Sequence, residues 1–223
     1  MRVVVTAGPT REHLDPVRFL SNPSTGKMGF AIAAEAARRG HEVTLVAGPV
    51  ALKTPKGVER VDVTSAREML EASLGGLEGF FGGEKVVFIS TAAVADWRPA
   101  RCAAKKLKKG EMSGVLKLVR NPDILKTIAG LRRARRSRPA VAGLKLVGFA
   151  AETNDVLKEA ARKSREKGLS FIVANDVTKK GCGFGTDTNR VTFVFPDGTQ
   201  KKFPLMTKRL VAKRILEEIE NEK

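Results

Sequence analysis

The sequence predicts an α/β fold in which a parallel β-sheet is covered by helices. Its candidate strands are short, nearly continuous apolar runs, such as the three valines at 3–5, and strands of this kind are typically buried on both faces. Helical patterns alternate with these strands along the chain, as they do in parallel α/β sheets. A length of 223 residues corresponds to one or two domains and is sufficient for a full core.

The first half of the chain alternates between strands and helices. Strands are predicted at 3–7, 42–46, 61–63 and 85–90. The first helix, at 30–39, has apolar residues at helical spacing and ends at Gly40, a common stop signal. A second helix follows Ser65, which forms a capping-box pattern with Glu68. The polar residues between the first strand and the first helix are interpreted as a loop.

The second half continues the alternation and ends with a hairpin and a helix. Strands are predicted at 115–119, 146–150 and 170–174, and helices at 121–131 and 155–167. A hairpin over 191–203 has Asp197 and Gly198 in its turn, which is a strong hairpin signal. The last helix is predicted at 207–220.

The composition is strongly basic. There are 41 Lys and Arg residues against 24 Asp and Glu residues, a net charge of +17, which suits nucleic acid, a membrane surface or phosphorylated small molecules. Aromatic residues make up only 5% of the chain, so platforms for stacking single strands are scarce. The two cysteines form neither a disulfide framework nor a metal cluster, and we expect a cytoplasmic protein. No signal peptide or membrane-spanning run is evident, so no membrane partner is expected.

The junction between the first strand and the first helix is the first candidate ligand site. In an open α/β sheet, ligands bind at the carboxyl ends of the strands. Ser24, Thr25 and Gly26 precede the helix, and a helix N-terminus offers backbone N–H groups to an anion. Arg18, Asn22 and Lys27 lie in or next to this segment and could hold a polyanion. From these residues alone, an ordinary capped helix after a turn explains the pattern equally well.

Other polar residues also follow strands or open helices. They are Asn22, Asp96, residues 121–123, residues 152–154, and the pair Asn175 and Asp176. Residues just past the ends of parallel strands gather at one edge of the sheet. Glu152 and Asp176 are explained equally well as helix caps or turn formers, so the shared placement is the informative observation.

Nine motifs occur in series along almost the whole chain, and each alone would be weak. They are Thr6-Ala-Gly-Pro-Thr-Arg-Glu12, Asp15-Pro-Val-Arg-Phe19, Ser21-Asn22, Gly26-Lys-Met-Gly29, Ala92-Ala-Val-Ala-Asp96, Lys106-Leu-Lys-Lys109, Asn121-Pro-Asp-Ile124, Gly148-Phe-Ala-Ala-Glu-Thr153 and Val173-Ala-Asn-Asp-Val177. In these motifs the chain resembles the bacterial phosphopantothenoylcysteine synthetases. In many bacteria this activity is the C-terminal half of a bifunctional coenzyme A biosynthesis enzyme. The flavin-dependent decarboxylase half has no counterpart in these residues and is an expected separate or fused partner.

The resemblance implies a ligase that joins 4'-phosphopantothenate to L-cysteine. In the family, the carboxylate attacks the α-phosphate of CTP, or ATP in eukaryotic relatives, to give an acyl-nucleotide and pyrophosphate. The cysteine amine then displaces the nucleoside monophosphate. Mg²⁺ accompanies the triphosphate, and its protein ligands stay unassigned. The family also implies a single ligase domain over 1–223 with a Rossmann-like sheet. It further implies a homodimer, with a smaller, irregular and β-rich dimerisation region at about 97–120 and 178–205.

The resemblance assigns three catalytic residues. Asn22 matches the residue that holds the acyl-nucleotide, where an uncharged amide could donate to a carbonyl or phosphate oxygen. Arg18 matches a basic residue of the same half-reaction. Lys106 matches the first lysine of a Lys-x-Lys-Lys motif that serves nucleotidyl transfer, although Lys105 is adjacent and a shift by one residue is possible. Without the resemblance, we would interpret this run of lysines as a solvated loop.

The resemblance also assigns the nucleotide and phosphate sites. Asp96 would read the base, because a carboxylate can accept from the cytosine amine. The other nucleotide-binding residues are Ser90, Thr91, Ala92, Lys106, Pro122, Asp123, Ile124, Leu125, Phe149, Lys163 and Lys167. Lys163 and Lys167 lie four residues apart, on one face of their helix. A phosphate cradle is expected at Gly26, Lys27, Met28 and Gly29.

Some features depart from the family or suggest other functions. Residues 23–25, Thr91 and Trp97 are unusual for their motifs. The basic segment 132–138 is interpreted as an insertion that forms a solvated loop, a docking surface or a nucleic-acid contact. A nicotinamide-dependent reductase is the main alternative enzyme, but the Gly-x-Gly-x-x-Gly turn is missing after the first strand. The net positive charge leaves a nucleic-acid-binding module as a less favoured alternative. Its affinity for duplex would fall steeply with salt concentration.

Overall fold

The computed structural model describes residues 1–78, 85–108, 110, 114–134, 143–152, 156–176, 181–183 and 185–221. Several residues named from the sequence lie outside this part of the chain. They are Lys109, residues 135–138 of the basic segment, residues 153–155, Val177, and residues 111–113, 178–180 and 184 of the predicted dimerisation region, together with the side chains of residues 132–134, Glu152 and Asp176.

Strands and helices alternate along the described residues. The strands are β1 (Arg2–Ala7), β2 (Arg11–His13), β3 (Phe19–Ser21), β4 (Glu42–Ala47), β5 (Glu59–Asp62), β6 (Val86–Ser90), β7 (Trp97–Pro99), β8 (Leu118–Arg120), β9 (Leu144–Glu152), β10 (Phe171–Asp176), β11 (Thr188–Asn189), β12 (Val191–Val194), β13 (Gln200–Lys202) and β14 (Met206–Thr207). The helices are α1 (Lys27–Arg38), α2 (Ala66–Gly76), α3 (Ile124–Ala134), α4 (Val156–Lys167) and α5 (Lys208–Asn221).

The main sheet is mostly parallel, which confirms the fold class. Its strands lie in the order β13-β12-β10-β9-β6-β1-β4-β5. The pairs from β5 across to β10 are parallel, and β12 and β13 add an antiparallel hairpin at one edge. The hairpin with Asp197 and Gly198 is therefore confirmed, and Gly198 has a φ of 91°.

The core is divided between the two faces of the sheet because side chains alternate along each strand. In β1, Val3 and Val5 belong to a buried cluster that includes residues of α1 and α5. Val4, between them, belongs to a second cluster with Met69 of α2 and Ile128 of α3. All three valines are fully buried, which is why the strand reads as a continuous apolar run.

The stretch between β1 and α1 is not only a loop, and that expectation is wrong in part. It contains the short antiparallel pair β2 and β3, in which Glu12 faces Leu20. The turn between them is set by Asp15, whose Oδ1 accepts from the backbone N–H groups of Val17 and Arg18, each at 2.9 Å. Each strand has only three residues, too few for an alternating pattern to be recognisable.

Several other predicted elements differ in their bounds, including the first helix, which begins at Lys27 rather than at 30. The strand expected at 115–119 is β8, which pairs with β7 rather than with the main sheet. The helix expected from 121 begins at Ile124, because Asp123 acts as its cap and accepts from the N–H of Lys126 at 2.9 Å. By contrast, the capping box of Ser65 and Glu68 is confirmed, with Glu68 N donating to Ser65 Oγ at 3.2 Å.

The strand order also fixes where a ligand can enter. From β1 the chain first adds β4 and β5 on one side of β1, and then β6, β9 and β10 on the other. In open α/β sheets the crevice at such a reversal, at the carboxyl ends of the strands, is the usual binding site. Here that crevice lies between the segments that follow β1 and β6.

Candidate active site

The segments after β1 and β6 are joined by backbone hydrogen bonds. Ala93 N donates to Gly8 O at 2.9 Å, and Thr91 N donates to Thr6 O at 3.3 Å. Ala95 N donates to the hydroxyl of the buried Thr10 at 3.0 Å. The floor of the crevice is therefore a fixed surface and not two independent loops.

Asn22 is attached to this surface through its side chain. Its Nδ2 donates to the carbonyl oxygens of Ala93 and Val94, at 3.1 Å each. Both amide hydrogens are therefore used by the backbone, and Oδ1 is the group left for a ligand. This differs from the expectation that the Asn22 amide would donate to the substrate.

The N-terminus of α1 is left open towards the crevice. Its cap, Gly26, has a φ of 76° and no side-chain cap, so the first N–H groups of the helix are available to an anion. Gly29 has a different role, because a Cβ there would lie 2.5 Å from the Cβ of Ala7. Gly29 allows α1 to pack closely on β1, and the cradle is formed by the residues before it.

A pocket with about 550 Å³ of empty space lies at this helix end. It brings the predicted cradle together with two of the predicted nucleotide-binding residues and with residues from distant parts of the chain. Its lining consists of Ser24, Thr25, Gly26, Lys27, Met28, Gly29, Thr91, Phe149, Ala150, Asn175, Gly183, Asn189 and Lys208.

Three polar residues of this lining are more than nine-tenths buried. Asn175 is 9%, Asn189 4% and Lys208 8% exposed, and the Oδ1 atoms of both asparagines have no hydrogen-bond partner. Buried acceptor atoms of this kind are suited to bind a ligand group that enters the pocket. Sequence reasoning singled out only Asn175. Lys208 carried a usable signal, because a lysine in the first turn of a helix opposes the helix dipole.

Two lysines give the pocket its positive charge. Lys27 Nζ donates to Asp187 Oδ1 at 2.7 Å and to Gly185 O at 2.9 Å. Lys208 Nζ donates to the carbonyl of Thr186. Burial, together with the nearby charge of Lys27, lowers the pKa of Lys208, although Asp187 acts in the opposite direction. A bound anion would relieve this repulsion between the two ammonium groups.

The predicted base-reading segment is joined to the start of α3. Asn121 N donates to Asp96 O, and Asn121 Nδ2 donates to Ala95 O, both at 2.8 Å. Asn121 therefore holds the exposed Asp96 beside the Pro122, Asp123, Ile124 and Leu125 turn. Sequence reasoning placed Asn121 in a motif without giving it this role.

Lys167 of α4 reaches the same turn. Its Nζ lies 2.6 Å from Asp123 Oδ2. Burial alone would raise the pKa of the Asp123 carboxyl, but the bonds from Lys167 and from Lys126 N hold it below its usual range. The structure thus brings two of the predicted nucleotide-binding residues together as an ion pair.

The two basic segments assigned to catalysis are also in contact. Arg18 Nε donates to Asp15 Oδ2 at 3.0 Å, and Arg18 Nη2 donates to Leu107 O at 2.9 Å. Lys106 precedes Leu107, and its side chain is exposed. The lysine segment is therefore fixed beside Arg18 through its backbone.

Comparison with known proteins decides the family. Residues 1–222 match the model of the DNA/pantothenate metabolism flavoprotein C-terminal domain. The chain belongs to this family. It is 47% identical over 222 residues to the coenzyme A biosynthesis bifunctional protein CoaBC of Escherichia coli (strain K12), and 46% identical over 218 residues to that of Bacillus subtilis (strain 168). These matches cover 98% and 97% of the chain but 51% and 50% of the relatives, so the chain spans about half their length.

Solved structures of this family agree with the fold. The crystal structure of the C-terminal domain of a CoaBC protein aligns with a TM-score of 0.78 and 42% identity, covering 98% of this chain and 93% of that one. A DNA/pantothenate metabolism flavoprotein from Streptococcus pneumoniae aligns with a TM-score of 0.76 at 23% identity, with full coverage of both chains, which shows the shared fold alone.

Some predicted residues of the family site lie outside the pocket. As far as the structure describes the chain, Asn22, Ser90, Ala92, the Asp96 and α3 segments, Arg18, Lys106, Lys163 and Lys167 are not among the lining residues. Ser90 is nevertheless paired with Gly148, next to Phe149 of the lining. The predicted site residues therefore fall into two groups: those that line the pocket, and polar and basic residues outside its lining.

Neither a metal cluster nor a membrane span is found in the described part of the chain. There, no three His, Cys, Asp or Glu residues are grouped so that they could hold a metal ion. No described helix is long and apolar enough to cross a membrane.

Proposed function

We propose that this chain joins 4'-phosphopantothenate to L-cysteine, using CTP, in coenzyme A biosynthesis. The observation that carries the proposal is the 47% identity to CoaBC over 98% of the chain. The anion pocket at the start of α1 supports it independently, because the acid substrate carries a phosphate.

The first half-reaction would activate the substrate carboxylate. A carboxylate oxygen attacks the α-phosphorus of CTP, the bond to the β-phosphate oxygen breaks, and pyrophosphate leaves. Both reactants are anions, so their approach needs compensating positive charge. Lys106 would supply charge to this step from its exposed position beside Arg18.

The second half-reaction would form the amide. The cysteine amine attacks the acyl carbon, the bond to the nucleotide phosphate breaks, CMP leaves, and the nitrogen loses a proton. Asn22 would act here. Because its Nδ2 is used by the backbone, its Oδ1 is suited to accept a hydrogen bond from the incoming amine and to orient it.

The phosphate of 4'-phosphopantothenate would bind in the pocket. The N–H groups after Gly26 and the ammonium groups of Lys27 and Lys208 are the donors available to it. Asn189 could turn its amide so that Nδ2 faces a phosphate oxygen, whereas Asn175 Nδ2 already donates to Cys182 O at 3.0 Å.

The nucleotide would lie along the neighbouring surface. Asp96 would accept from the cytosine amine, the Pro122, Asp123, Ile124 and Leu125 turn and Phe149 would flank the nucleoside, and Lys163 and Lys167 would contact the triphosphate. Lys167 is bound to Asp123 here, so a triphosphate would compete with that carboxylate. Mg²⁺ would arrive on the triphosphate, since it is usually held by phosphates with one or two carboxylates.

A nucleotide comparison tests the proposal. Pyrophosphate release is measured with CTP or ATP, with 4'-phosphopantothenate, and with or without cysteine. We expect release that depends on the acid and is faster with CTP, and CMP release that depends on cysteine. Failure with both nucleotides would overturn the function, whereas equal rates would overturn only the CTP preference.

The variant Asp96→Asn tests the base-reading role. It should reduce the discrimination between CTP and ATP, and an unchanged preference would show that Asp96 does not read the base.

We also infer a homodimer that uses the surface around β7 and β8. Large apolar side chains are exposed there and on the adjacent β2–β3 hairpin, namely Val17, Phe19, Leu20, Trp97, Val115, Leu116 and Leu118. Such a patch is typical of an interaction site. Analytical ultracentrifugation of Trp97→Lys tests this location, with the exposed Leu131→Lys on α3 as control. A dimer that is unaffected by Trp97→Lys contradicts this location.

A decarboxylase, fused or separate, is a further proposed partner, by analogy with the bifunctional relatives.

A further inference from the structure

Asp15 joins two segments that are far apart in the sequence. Its carboxylate is fully buried. Oδ2 accepts from the guanidinium of Arg18, including Nε at 3.0 Å, and from the backbone N–H of Leu107 at 3.2 Å. Arg18 completes the contact by donating from Nη2 to Leu107 O at 2.9 Å. One carboxylate and one guanidinium therefore bind both backbone groups of Leu107.

These bonds exceed what the turn between β2 and β3 requires. The turn itself uses Oδ1, which accepts from the N–H groups of Val17 and Arg18. An asparagine or serine side chain can supply such a bond. The bonds of Oδ2 to Arg18 and Leu107 therefore call for a different explanation, and a carboxylate is the side chain that accepts from both.

The charge of Asp15 is also stable. The bond from the Arg18 side chain, followed by bonds from three backbone N–H groups, holds the pKa of the Asp15 carboxyl far below its usual range, although burial alone would raise it. A buried carboxylate that accepts several hydrogen bonds stays ionised. The arrangement therefore stays fixed across the pH range in which an enzyme of this kind works.

We propose that Asp15 is a positioning residue that holds Arg18 and the lysine segment 105–108 in a single arrangement. Through its bond to Leu107, Asp15 fixes the position of Lys106 for nucleotidyl transfer. Through its bonds to Arg18, it fixes the position of the segment that leads to Asn22, which acts in amide formation. Asp15 thus couples the groups of both half-reactions without touching the substrate. This inference rests on the proposed function, but its structural part can be measured without any activity.

Limited trypsin digestion tests the structural part. Asp15→Asn keeps the Oδ1 bonds of the turn but puts an amide N–H₂ against the Leu107 N–H and Arg18. We expect cleavage after Lys105, Lys106 and Lys108 to become at least about tenfold faster, the order expected for losing charged hydrogen bonds. Cleavage after Arg101 serves as an internal control, because Ala103 N remains bound to Leu14 O at 2.9 Å.

Glu12→Gln is the matched control for this variant. Glu12 is a buried carboxylate of the same hairpin, but its Oε1 accepts from Ala66 N of α2 at 2.9 Å and not from the lysine segment. It should lower the melting temperature without accelerating cleavage at 105–108. Asp15→Ser, which can also cap the turn, provides a second variant if Asp15→Asn fails to fold.

Kinetics test the catalytic part. Asp15→Asn should lower pyrophosphate release and amide formation by a similar factor, roughly tenfold or more, with little change in KM for CTP. Equal cleavage rates in wild type and Asp15 variants, or the same acceleration in Glu12→Gln, would overturn the positioning role. An effect on only one half-reaction would overturn the coupling. An inactive wild type would instead overturn the proposed function, while the cleavage comparison still decides whether Asp15 holds the segment.

Discussion

Asn22 Nδ2 and the carbonyl oxygen of Ala93 lie 3.1 Å apart, and the same amide reaches Val94 O at 3.1 Å. The side chain expected to contact the substrate thus also holds its own segment against the end of β6. A substitution at Asn22 changes both the group offered to the ligand and the position of the segment. Predictions for this residue therefore have to separate the two effects.

Asn22→Asp should stall the reaction after activation. A carboxylate cannot donate to the two carbonyl oxygens, and its charge would repel the acyl phosphate, so product formation should fall by about 10²-fold. Mass spectrometry should detect accumulated acyl-nucleotide. Ser21→Ala, which loses the bonds of Ser21 Oγ to Thr10 O and Asn22 O but keeps the Asn22 side chain, is the control for a displaced segment. Normal turnover of Asn22→Asp would show that Asn22 has no role in this step.

Lys106→Gln should block pyrophosphate release itself. The substitution removes the charge proposed for nucleotidyl transfer and keeps a side chain of similar length. Because Lys106 is exposed, the melting temperature should not change. Lys105→Gln is the matched control, since Lys105 is its exposed neighbour. If Lys105→Gln blocks release and Lys106→Gln does not, the catalytic role belongs to Lys105.

Lys208→Met should weaken binding of the phosphorylated substrate. Methionine fills a similar volume but cannot donate to a phosphate, so KM for 4'-phosphopantothenate should rise roughly 10-fold to 100-fold, with little change in KM for cysteine. Lys202→Met, at an exposed position of β13, should behave as wild type. A rise of the same size in both KM values would indicate that Lys208 only stabilises the 185–187 segment through Thr186.

The fold was predictable from the sequence because its central strands are apolar runs, and such runs can be recognised locally as buried strands. These strands are β1, β4, β6, β9 and β10. The cradle and the Asp96 segment were reached through motifs that follow these strands. Lys208 and the role of Asp15 were not predicted, because each side chain bonds to a segment distant in the sequence. Asn189 was not predicted because its strand has only two residues, too few for a recognisable pattern. Lys208 meets Thr186 and Lys27 only after α5 has packed beside α1, and no local pattern records that contact.

Glu35 should make stability sensitive to acid. Bonds from Arg38 and Arg39 lower the pKa of this buried carboxyl from 4.5 to about 2. A group with a lowered folded pKa stabilises the protein above its unfolded pKa, so this contribution is present above pH 4.5 and is lost as pH falls towards 2.

Glu35→Gln tests that contribution by denaturant unfolding at several pH values. It should cost on the order of 2 kcal/mol of unfolding free energy at pH 7, with the difference from wild type shrinking below pH 4.5. Glu42→Gln is the control, because Glu42 forms its ion pair with Arg2 while its side chain is 64% exposed. This substitution should cost about 0–1 kcal/mol of unfolding free energy. A Glu35 difference that does not depend on pH would contradict the ion-pair explanation.

Gly48 should tolerate no side chain, because a Cβ there would lie 1.7 Å from the carbonyl oxygen of Pro9. That oxygen belongs to the backbone of the segment that follows β1, and Pro9 is bridged to Ala93. Gly48→Ala must therefore displace the floor of the crevice, and we expect a loss of roughly 3 kcal/mol in unfolding free energy together with loss of ligand binding.

Gly130→Ala is the matched control, since Gly130 lies within α3 and a Cβ there would meet nothing within 4 Å. It should raise stability by about 0.5–1 kcal/mol. Thermal unfolding of the two variants measures both effects, and a Gly48→Ala protein as stable as wild type would contradict the close approach of Gly48, just after β4, to Pro9.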